Sequence, residues 1–139
     1  MTAKQYLSLG WKVNRRIERL KEERARLVAK IEGGRSSQLT GMPRGGRYDW
    51  TDGVARIMRY TERIGREIDY WTKVQYDVRE SIAQVPDMRC QDVLHCRYVL
   101  YMRWEDIADE MDYDVRWVFR LHKKALGMVT VPEAYRRGQ

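Results

Sequence analysis

Apolar residues in the first two thirds of the chain recur at alternating steps of four and three, a spacing that places them on one stripe of an α-helix. A first seam of this kind comprises Tyr6, Gly10, Val13, Ile17, Leu20, Arg24, Leu27 and Ile31. A second seam comprises Trp50, Val54, Ile57, Thr61, Ile64, Ile68, Trp71, Gln75, Val78 and Ile82. The pattern therefore predicts two long amphipathic helices.

The segment between the two seams, residues 33–49, reads GGRSSQLTGMPRGGRYD and is rich in glycine and serine. This composition favours a flexible loop over a helix. Two heptad-patterned helices joined by one loop most simply pair as an antiparallel hairpin. We expect this hairpin to occupy residues 1–85, because Pro86 disfavours helix in the residue before it.

After Pro86 the pattern predicts shorter helices, which we assign to a second module over residues 86–130, followed by a tail over residues 131–139. Asp87 is expected to cap the first of them, a second begins near Trp104, and Asp114 is expected to cap the last by accepting from its free N–H groups. The apolar positions predicted to face inward are Ile107, Ala108, Met111, Val118, Leu121, Ala125 and Leu126. The predicted fold class is therefore all-α, a long antiparallel hairpin followed by a helix-turn-helix module.

The last of these helices leaves basic and aromatic side chains on its outer face. By periodicity they are Arg116, Trp117, Phe119, Arg120, Lys123 and Lys124. A basic face braced by a neighbouring helix across a tight turn is the layout of a helix-turn-helix, whose second helix enters the major groove of DNA. Lysine and arginine there can bind phosphates, and arginine can also read guanine edges.

Composition agrees with a polyanionic partner. The chain of 139 residues carries 27 Lys and Arg against 20 Asp and Glu, a formal net charge of +7. An excess of basic residues of this kind favours binding to nucleic acid or another polyanion. We find no run long and apolar enough to span a bilayer and no signal peptide at the N-terminus. Cys90 and Cys96 are then expected to be reduced thiols, as in a cytoplasmic protein.

The stretch RYVLYMRWEDIADEMDYDVRWVFRLHKKAL, residues 97–126, resembles the C-terminal module of phage-encoded late transcription regulators of the RinA/ArpU type. That module is similar to the promoter-reading region 4 of sigma-70 factors. The resemblance rests on Arg97-Tyr98, on Trp-Glu-x-Ile-Ala, on Met-x-Tyr, and on Val-x-x-Leu-His-x-x-Ala-Leu ending at Leu126. It implies a DNA-reading face made of Val115, Arg116, Phe119, Arg120, Lys123 and Lys124.

The resemblance implies a sequence-specific regulator of phage late genes that acts at promoters with host RNA polymerase or a sigma factor. Such a protein is expected in the cytoplasm of a bacterial host cell, associated with the nucleoid. A small-terminase-like DNA-packaging factor is the alternative, and a protein-binding adaptor of sigma factor or polymerase that does not touch DNA is a weaker one. We also expect a homo-oligomer, most simply a dimer, because a two-helix hairpin leaves flanking apolar residues incompletely covered. These flanking residues are Leu7, Trp11, Val28, Met58 and Trp71.

The remaining histidines, cysteines and carboxylates that could bind a metal or act in catalysis are interpreted as structural or solvent-exposed residues. His122 is expected to pack or to hydrogen-bond within the module. His95, Cys90 and Cys96 lack the paired spacing of a structural zinc site, and the carboxylates around Glu105 are interpreted as a solvated face. No phosphate-binding glycine loop or catalytic triad spacing is present. We therefore expect no enzymatic activity, no metal and no cofactor.

Overall fold

The computed structural model describes residues 1–39 and 50–136, with side chains described for residues 1–33 and 50–136. All regular elements in these residues are helical, which confirms the predicted all-α class. The elements are α1 (Ala3–Leu7), α2 (Leu9–Leu39), α3 (Trp50–Ala83), α4 (Met88–Leu94), a π-helical turn (His95–Val99), α5 (Trp104–Met111), α6 (Val115–Leu126) and α7 (Glu133–Arg136). None of the described helices is long and apolar enough to cross a membrane.

The prediction of a loop over residues 33–49 is wrong for its first part, because α2 continues to Leu39. Glycine in a helix interior costs only about 1 kcal/mol relative to alanine. The glycine and serine residues at the start of the segment therefore do not suffice to end a long helix that begins at Leu9. Residues 40–49, the remainder of the predicted loop, lie outside the described residues.

The predicted helix starts at Asp87 and Asp114 are confirmed by their capping hydrogen bonds. The Asp87 carboxylate accepts from the backbone N–H groups of Arg89 at 2.9 Å and Cys90 at 3.3 Å. The Asp114 carboxylate accepts from the backbone N–H of Arg116 at 2.9 Å. Each aspartate satisfies N–H groups that have no partner within their helix, which sets where α4 and α6 begin.

The chain divides into two compact units, and the first consists of Met1–Val13 with Trp71–Gln139. Its core collects buried side chains from α1, the end of α3 and the segment after it, α4, the π-helical turn, α5, α6 and α7. They are Tyr6, Leu7, Val74, Val78, Ile82, Val85, Cys90, Val93, Leu94, Tyr98, Val99, Ile107, Ala108, Val118, Leu121, Ala125 and Tyr135. This division does not coincide with the predicted boundary after residue 85, because residues on both sides of that position share one core.

Two residues of the first unit differ from expectation. Leu7 was expected to be incompletely covered on a long helix, and it is 1% exposed. The reason is that α1 ends at Leu7 and Ser8 caps it, so Leu7 does not lie on the face of α2. Tyr135 belongs to the predicted tail, yet it is buried, donates a hydrogen bond to Asp77 at 2.6 Å and packs 4.9 Å from the Tyr6 ring.

The second unit, Asn14–Tyr70, contains the remaining described parts of α2 and α3. Ile17, Leu20 and Ile31 of the first seam are buried as predicted. Arg16 forms an ion pair with Glu67 at 3.0 Å, and the Arg24 Nε donates to Thr61 Oγ1 at 2.9 Å. Of these two pairs, the one later in α2 (Arg24) has the partner that lies earlier in α3 (Thr61).

The second seam is less buried than its regular spacing predicts. In the Asn14–Tyr70 unit Val54 is 45% exposed and Ile68 is 40% exposed, whereas Val78 and Ile82 in the other unit are almost fully buried. Heptad spacing places side chains on one stripe of a helix, but it does not specify how many neighbours cover that stripe. Val78 and Ile82 share a core with side chains from the shorter helices of the first unit, which accounts for their greater burial.

Candidate nucleic-acid interface

A short turn connects α5 to α6 and determines the direction in which α6 leaves. Asp112 ends α5 in the left-handed conformation, with φ 57° and ψ 45°, a region that aspartate visits more readily than most residues. The Tyr113 N–H then donates to the Ala108 carbonyl at 2.9 Å. With Asp114 capping α6, the break between the two helices is three residues long.

The inner face of α6 packs into the core of the first unit. Val118, Leu121 and Ala125 are 0%, 3% and 0% exposed, which confirms that they face inward. Ile107 on α5 is also fully buried, and the Cys90 thiol of α4 lies 3.8 Å from the Leu121 carbonyl oxygen. α4 and α5 therefore both brace α6 along its apolar stripe.

The outer face of α6 carries the residues that the sequence singles out. Six of the seven are exposed, namely Arg116, Trp117, Phe119, Arg120, Lys123 and Lys124, and Val115 is half-buried. Arg116 and Arg120 lie one turn apart on this face. Within the described residues, neither of them nor Lys123 lies within ion-pair distance of a carboxylate. No carboxylate in the described part of the chain therefore neutralises these three cations.

Lys124 differs from the other basic residues of α6, because its Nζ lies 3.4 Å from the Asp87 carboxylate. Asp87 is the residue that caps α4. Hydrogen bonds from the backbone of Cys90 and Arg89, together with Lys124, hold the pKa of Asp87 below its usual range. Lys124 thus links the C-terminal turn of α6 to the start of α4, and part of its charge is already balanced.

The two aromatic residues of the outer face have different surroundings. The Phe119 ring is 46% exposed, but it meets the Trp104 ring edge-on, with 5.2 Å between the ring centroids. Trp117 is 38% exposed. Phe119 therefore helps to hold α6 against α5 while its outer edge remains open to solvent.

His122 occupies the buried side of α6, as the interpretation of a packing histidine predicts. Its Nε2 lies 2.7 Å from the Tyr98 hydroxyl, and its ring meets the Trp104 ring edge-on at 4.7 Å. Burial, followed by the charges of Lys4 and Arg97, lowers the pKa of His122 to about 4. His122 is therefore neutral near pH 7. It forms a hydrogen bond with the Tyr98 hydroxyl, and the tautomer of the imidazole decides which of the two groups donates.

The carboxylates on α5 do not gather into a cluster. Asp106 forms an ion pair with Arg103 at 3.1 Å, and Glu105, Asp109 and Glu110 are exposed. Throughout residues 1–33 and 50–136, no three His, Cys, Asp or Glu side chains form a group that could hold a metal ion.

The sequence does not predict three pairings at this interface: Lys124 with Asp87, Phe119 with Trp104, and His122 with Tyr98 as its hydrogen-bond partner. Each joins residues from different elements, and their separations along the chain follow no helical period. The residue types indicated only that a partner exists, because a buried histidine requires a hydrogen-bond partner. The identity of that partner depends on how the helices pack.

Comparisons of the chain with models of protein families, with curated proteins and with solved structures found no match.

Proposed function

We propose that this protein is a sequence-specific DNA-binding transcription regulator of phage late genes, which acts at promoters with host RNA polymerase. The observation that carries the proposal is the division of α6 into two faces. Val118, Leu121 and Ala125 are buried on one face, while Arg116, Arg120 and Lys123 are exposed on the other without carboxylate partners in the described residues.

In this proposal α5, the turn and α6 form a helix-turn-helix, and α6 is the recognition helix. α6 has 12 residues, which corresponds to a length of about 18 Å at 1.5 Å per residue. A single helix of this kind fits the major groove, which is about 12 Å wide. Because α4 and α5 hold its inner face, α6 presents a rigid surface, and rigidity reduces the entropy lost on binding.

The chemistry of the outer face suits both parts of DNA recognition. Arginine can donate two parallel hydrogen bonds to guanine O6 and N7, and we assign this role to Arg116 and Arg120. Lys123 and Lys124 are assigned to phosphate contacts, which position the protein without reading sequence. The formal net charge of +7 adds attraction to any duplex.

We further propose that α2 and α3 form an antiparallel hairpin and that the protein dimerises through it. The pairs Arg16–Glu67 and Arg24–Thr61 support opposite directions for the two helices. On α3 the exposed apolar side chains Val54 and Met58 lie one turn apart and are 45% and 59% exposed. A second copy can cover such a stripe, and two modules on one assembly gain affinity for paired half-sites.

The proposed base contacts can be tested with a DNA site selected from a randomised duplex library. We expect Arg116→Ala and Arg120→Ala each to weaken binding to that site by about 1–3 kcal/mol and to relax the preference at one base pair. Arg66→Ala on α3 removes the same charge from an exposed position and serves as the matched control. An Arg116→Ala/Arg120→Ala double variant that binds the selected site with wild-type affinity and preference would contradict the assignment.

The regulatory role is tested separately by mapping the bound DNA across the phage genome during growth. Occupancy at late promoters is the expected result. Occupancy confined to the packaging site would favour a small-terminase-like factor instead. A protein that binds no duplex in either experiment, yet is retained by sigma factor or polymerase, would be an adaptor.

A further inference from the structure

A cavity of about 300 Å³ opens in the first unit, and Trp104, the first residue of α5, is part of its lining. Its wall combines three cationic side chains, Lys4, Lys12 and Arg97, with aromatic rings that include Trp11 and Tyr101. The cations come from three separate elements: α1, α2 and the π-helical turn. The fold thus gathers positive charge and flat apolar surface around one opening.

The three cations line one cavity, and no side chain of the described residues forms an ion pair with them. Burial is the main cause of the lowered pKa of His122, and the charges of Lys4 and Arg97 lower it further. Like charges that face one space repel each other, and an anion placed between them removes that repulsion.

Arg97 is held in place by contacts on two sides. One guanidinium nitrogen donates to the Met102 carbonyl at 2.9 Å, and the guanidinium carbon lies 4.5 Å from the centre of the Trp104 ring. The guanidinium has more N–H donors than these contacts use, and its planar fork matches the oxygens of a phosphate group. The side chain is therefore oriented before any ligand arrives.

The aromatic part of the wall is also fixed. Tyr101 adopts a left-handed backbone conformation with φ 57°, which is unusual for a bulky residue and marks local strain. Its hydroxyl accepts hydrogen bonds from Trp71 Nε1 at 3.3 Å and from Gln75 Nε2. Trp11 also lines the opening and is 46% exposed.

We propose that this cavity binds a nucleoside monophosphate, with its phosphate among Lys4, Lys12 and Arg97 and its base stacked on Trp11. A phosphate complements the cations, and a base complements the ring because stacking on an aromatic side chain requires only a flat π-face. The volume of about 300 Å³ lies at the lower end of the range for ligand pockets. It suits one nucleotide and is too small for a dinucleotide. None of the residues that line the cavity belongs to α6, and the proposal does not rest on the proposed DNA binding.

The proposal is tested by calorimetric titration of the full chain with adenosine, cytidine, guanosine and uridine 5′-monophosphates. At least one is expected to bind with one-to-one stoichiometry. The matching nucleoside and inorganic phosphate, each of which has only half of the recognised chemistry, are expected to bind about tenfold more weakly or worse. If no monophosphate binds, or if the nucleoside binds as tightly as its monophosphate, the proposal is wrong.

Three variants locate the binding site. Trp11→Ala and Lys12→Ala remove an exposed ring and an exposed cation, so both should fold, and each should weaken binding by about tenfold. Lys73→Ala removes an exposed lysine of the same unit that does not line the cavity, and it should bind as the wild type does. Equal losses in Lys12→Ala and Lys73→Ala would show nonspecific charge attraction and overturn the proposal.

A competition experiment separates a free nucleotide from a phosphate of bound DNA. The selected duplex is added to protein saturated with the nucleotide, and release of the nucleotide is followed. Simultaneous binding of both supports a separate nucleotide site. Displacement of the nucleotide by the duplex would assign the cavity to the DNA backbone and overturn the proposal of a free nucleotide.

Discussion

Lys123 and Lys124 are adjacent on α6, but their surroundings differ. Lys124 lies 3.4 Å from the Asp87 carboxylate, whereas Lys123 has no such partner in the described residues. A cation that already forms an ion pair with the protein must give up part of that pair to engage a phosphate. The two lysines should therefore contribute unequally to DNA binding, although the sequence presents them as equivalent.

The dependence of DNA affinity on salt concentration measures this difference. Lys123→Ala is expected to weaken binding to all duplexes and to reduce the slope of log K against log [salt] by about one. Lys124→Ala should reduce the slope by less, because the interaction with Asp87 already balances part of its charge. Equal reductions in the two variants would show that the Lys124–Asp87 ion pair does not persist in the complex.

His122 makes stability depend on pH. Its pKa is lowered to about 4 in the folded protein, against about 6.5 in an unfolded chain. The unfolded state therefore takes up a proton first as the pH falls. The contribution of neutral His122 is fully present above pH 6.5 and is lost progressively down to about pH 4, and it amounts to at most about 3 kcal/mol.

Urea unfolding at several pH values between 7.5 and 4 tests this expectation. His122→Gln keeps an amide that can bond to Tyr98 but does not titrate, so its free energy of unfolding should fall less over this range than that of the wild type. His95→Gln, at an exposed position, is the matched control and should behave as the wild type does. If His122→Gln retains the full pH dependence, another group is responsible for it.

At the scale of elements, the position of α6 depends on a small apolar contact with α4 and α5. Leu121 is 3% exposed, and Ile107 and Val118 are fully buried. The Leu121 carbonyl also lies 3.8 Å from the Cys90 thiol of α4. These contacts orient the outer face of α6, so a loss of packing on the inner side should also affect the proposed DNA-binding surface.

Leu121→Ala is expected to lower the free energy of unfolding by about 2–5 kcal/mol, because it removes buried methyl groups and leaves a cavity. Thermal melting followed by circular dichroism measures the effect. Phe119→Leu provides a comparison at a 46% exposed position on the same helix and should cost much less. A melting temperature of Leu121→Ala equal to that of the wild type would mean that the side chain is not in the core.

At the scale of the whole molecule, the proposed dimer predicts a mass near twice 16.7 kDa in light scattering at micromolar concentration. Met58→Glu places a charge on the exposed apolar stripe of α3 and should give the monomer. Tyr76→Glu changes a side chain that is also exposed, at 65%, in the other unit, and should leave the dimer intact. A monomeric mass for the wild type that persists with DNA bound would exclude the dimer and favour binding as a single module.

The sequence by itself determined the elements whose causes are local. Helical periodicity predicted the buried positions of α6, and the short polar side chains of Asp87 and Asp114 predicted where α4 and α6 begin. Both signals act within one or two turns of a helix, so they are visible in the order of residues. The exposure of Arg116 and Arg120 followed from the same periodicity, because the inner face of α6 was already assigned.

Only the tertiary structure decided features that depend on distant parts of the chain. The pairing of Lys124 with Asp87, the burial of Tyr135 against Tyr6, and the convergence of Lys4, Lys12 and Arg97 on one cavity join residues that no helical period relates. Composition also predicted that the first helix ends at Gly33, but α2 continues to Leu39. A single glycine weakens a helix by only about 1 kcal/mol, which does not suffice to end it. Local patterns fix which face of each helix is apolar, but the neighbours that cover that face are chosen by packing over the whole fold.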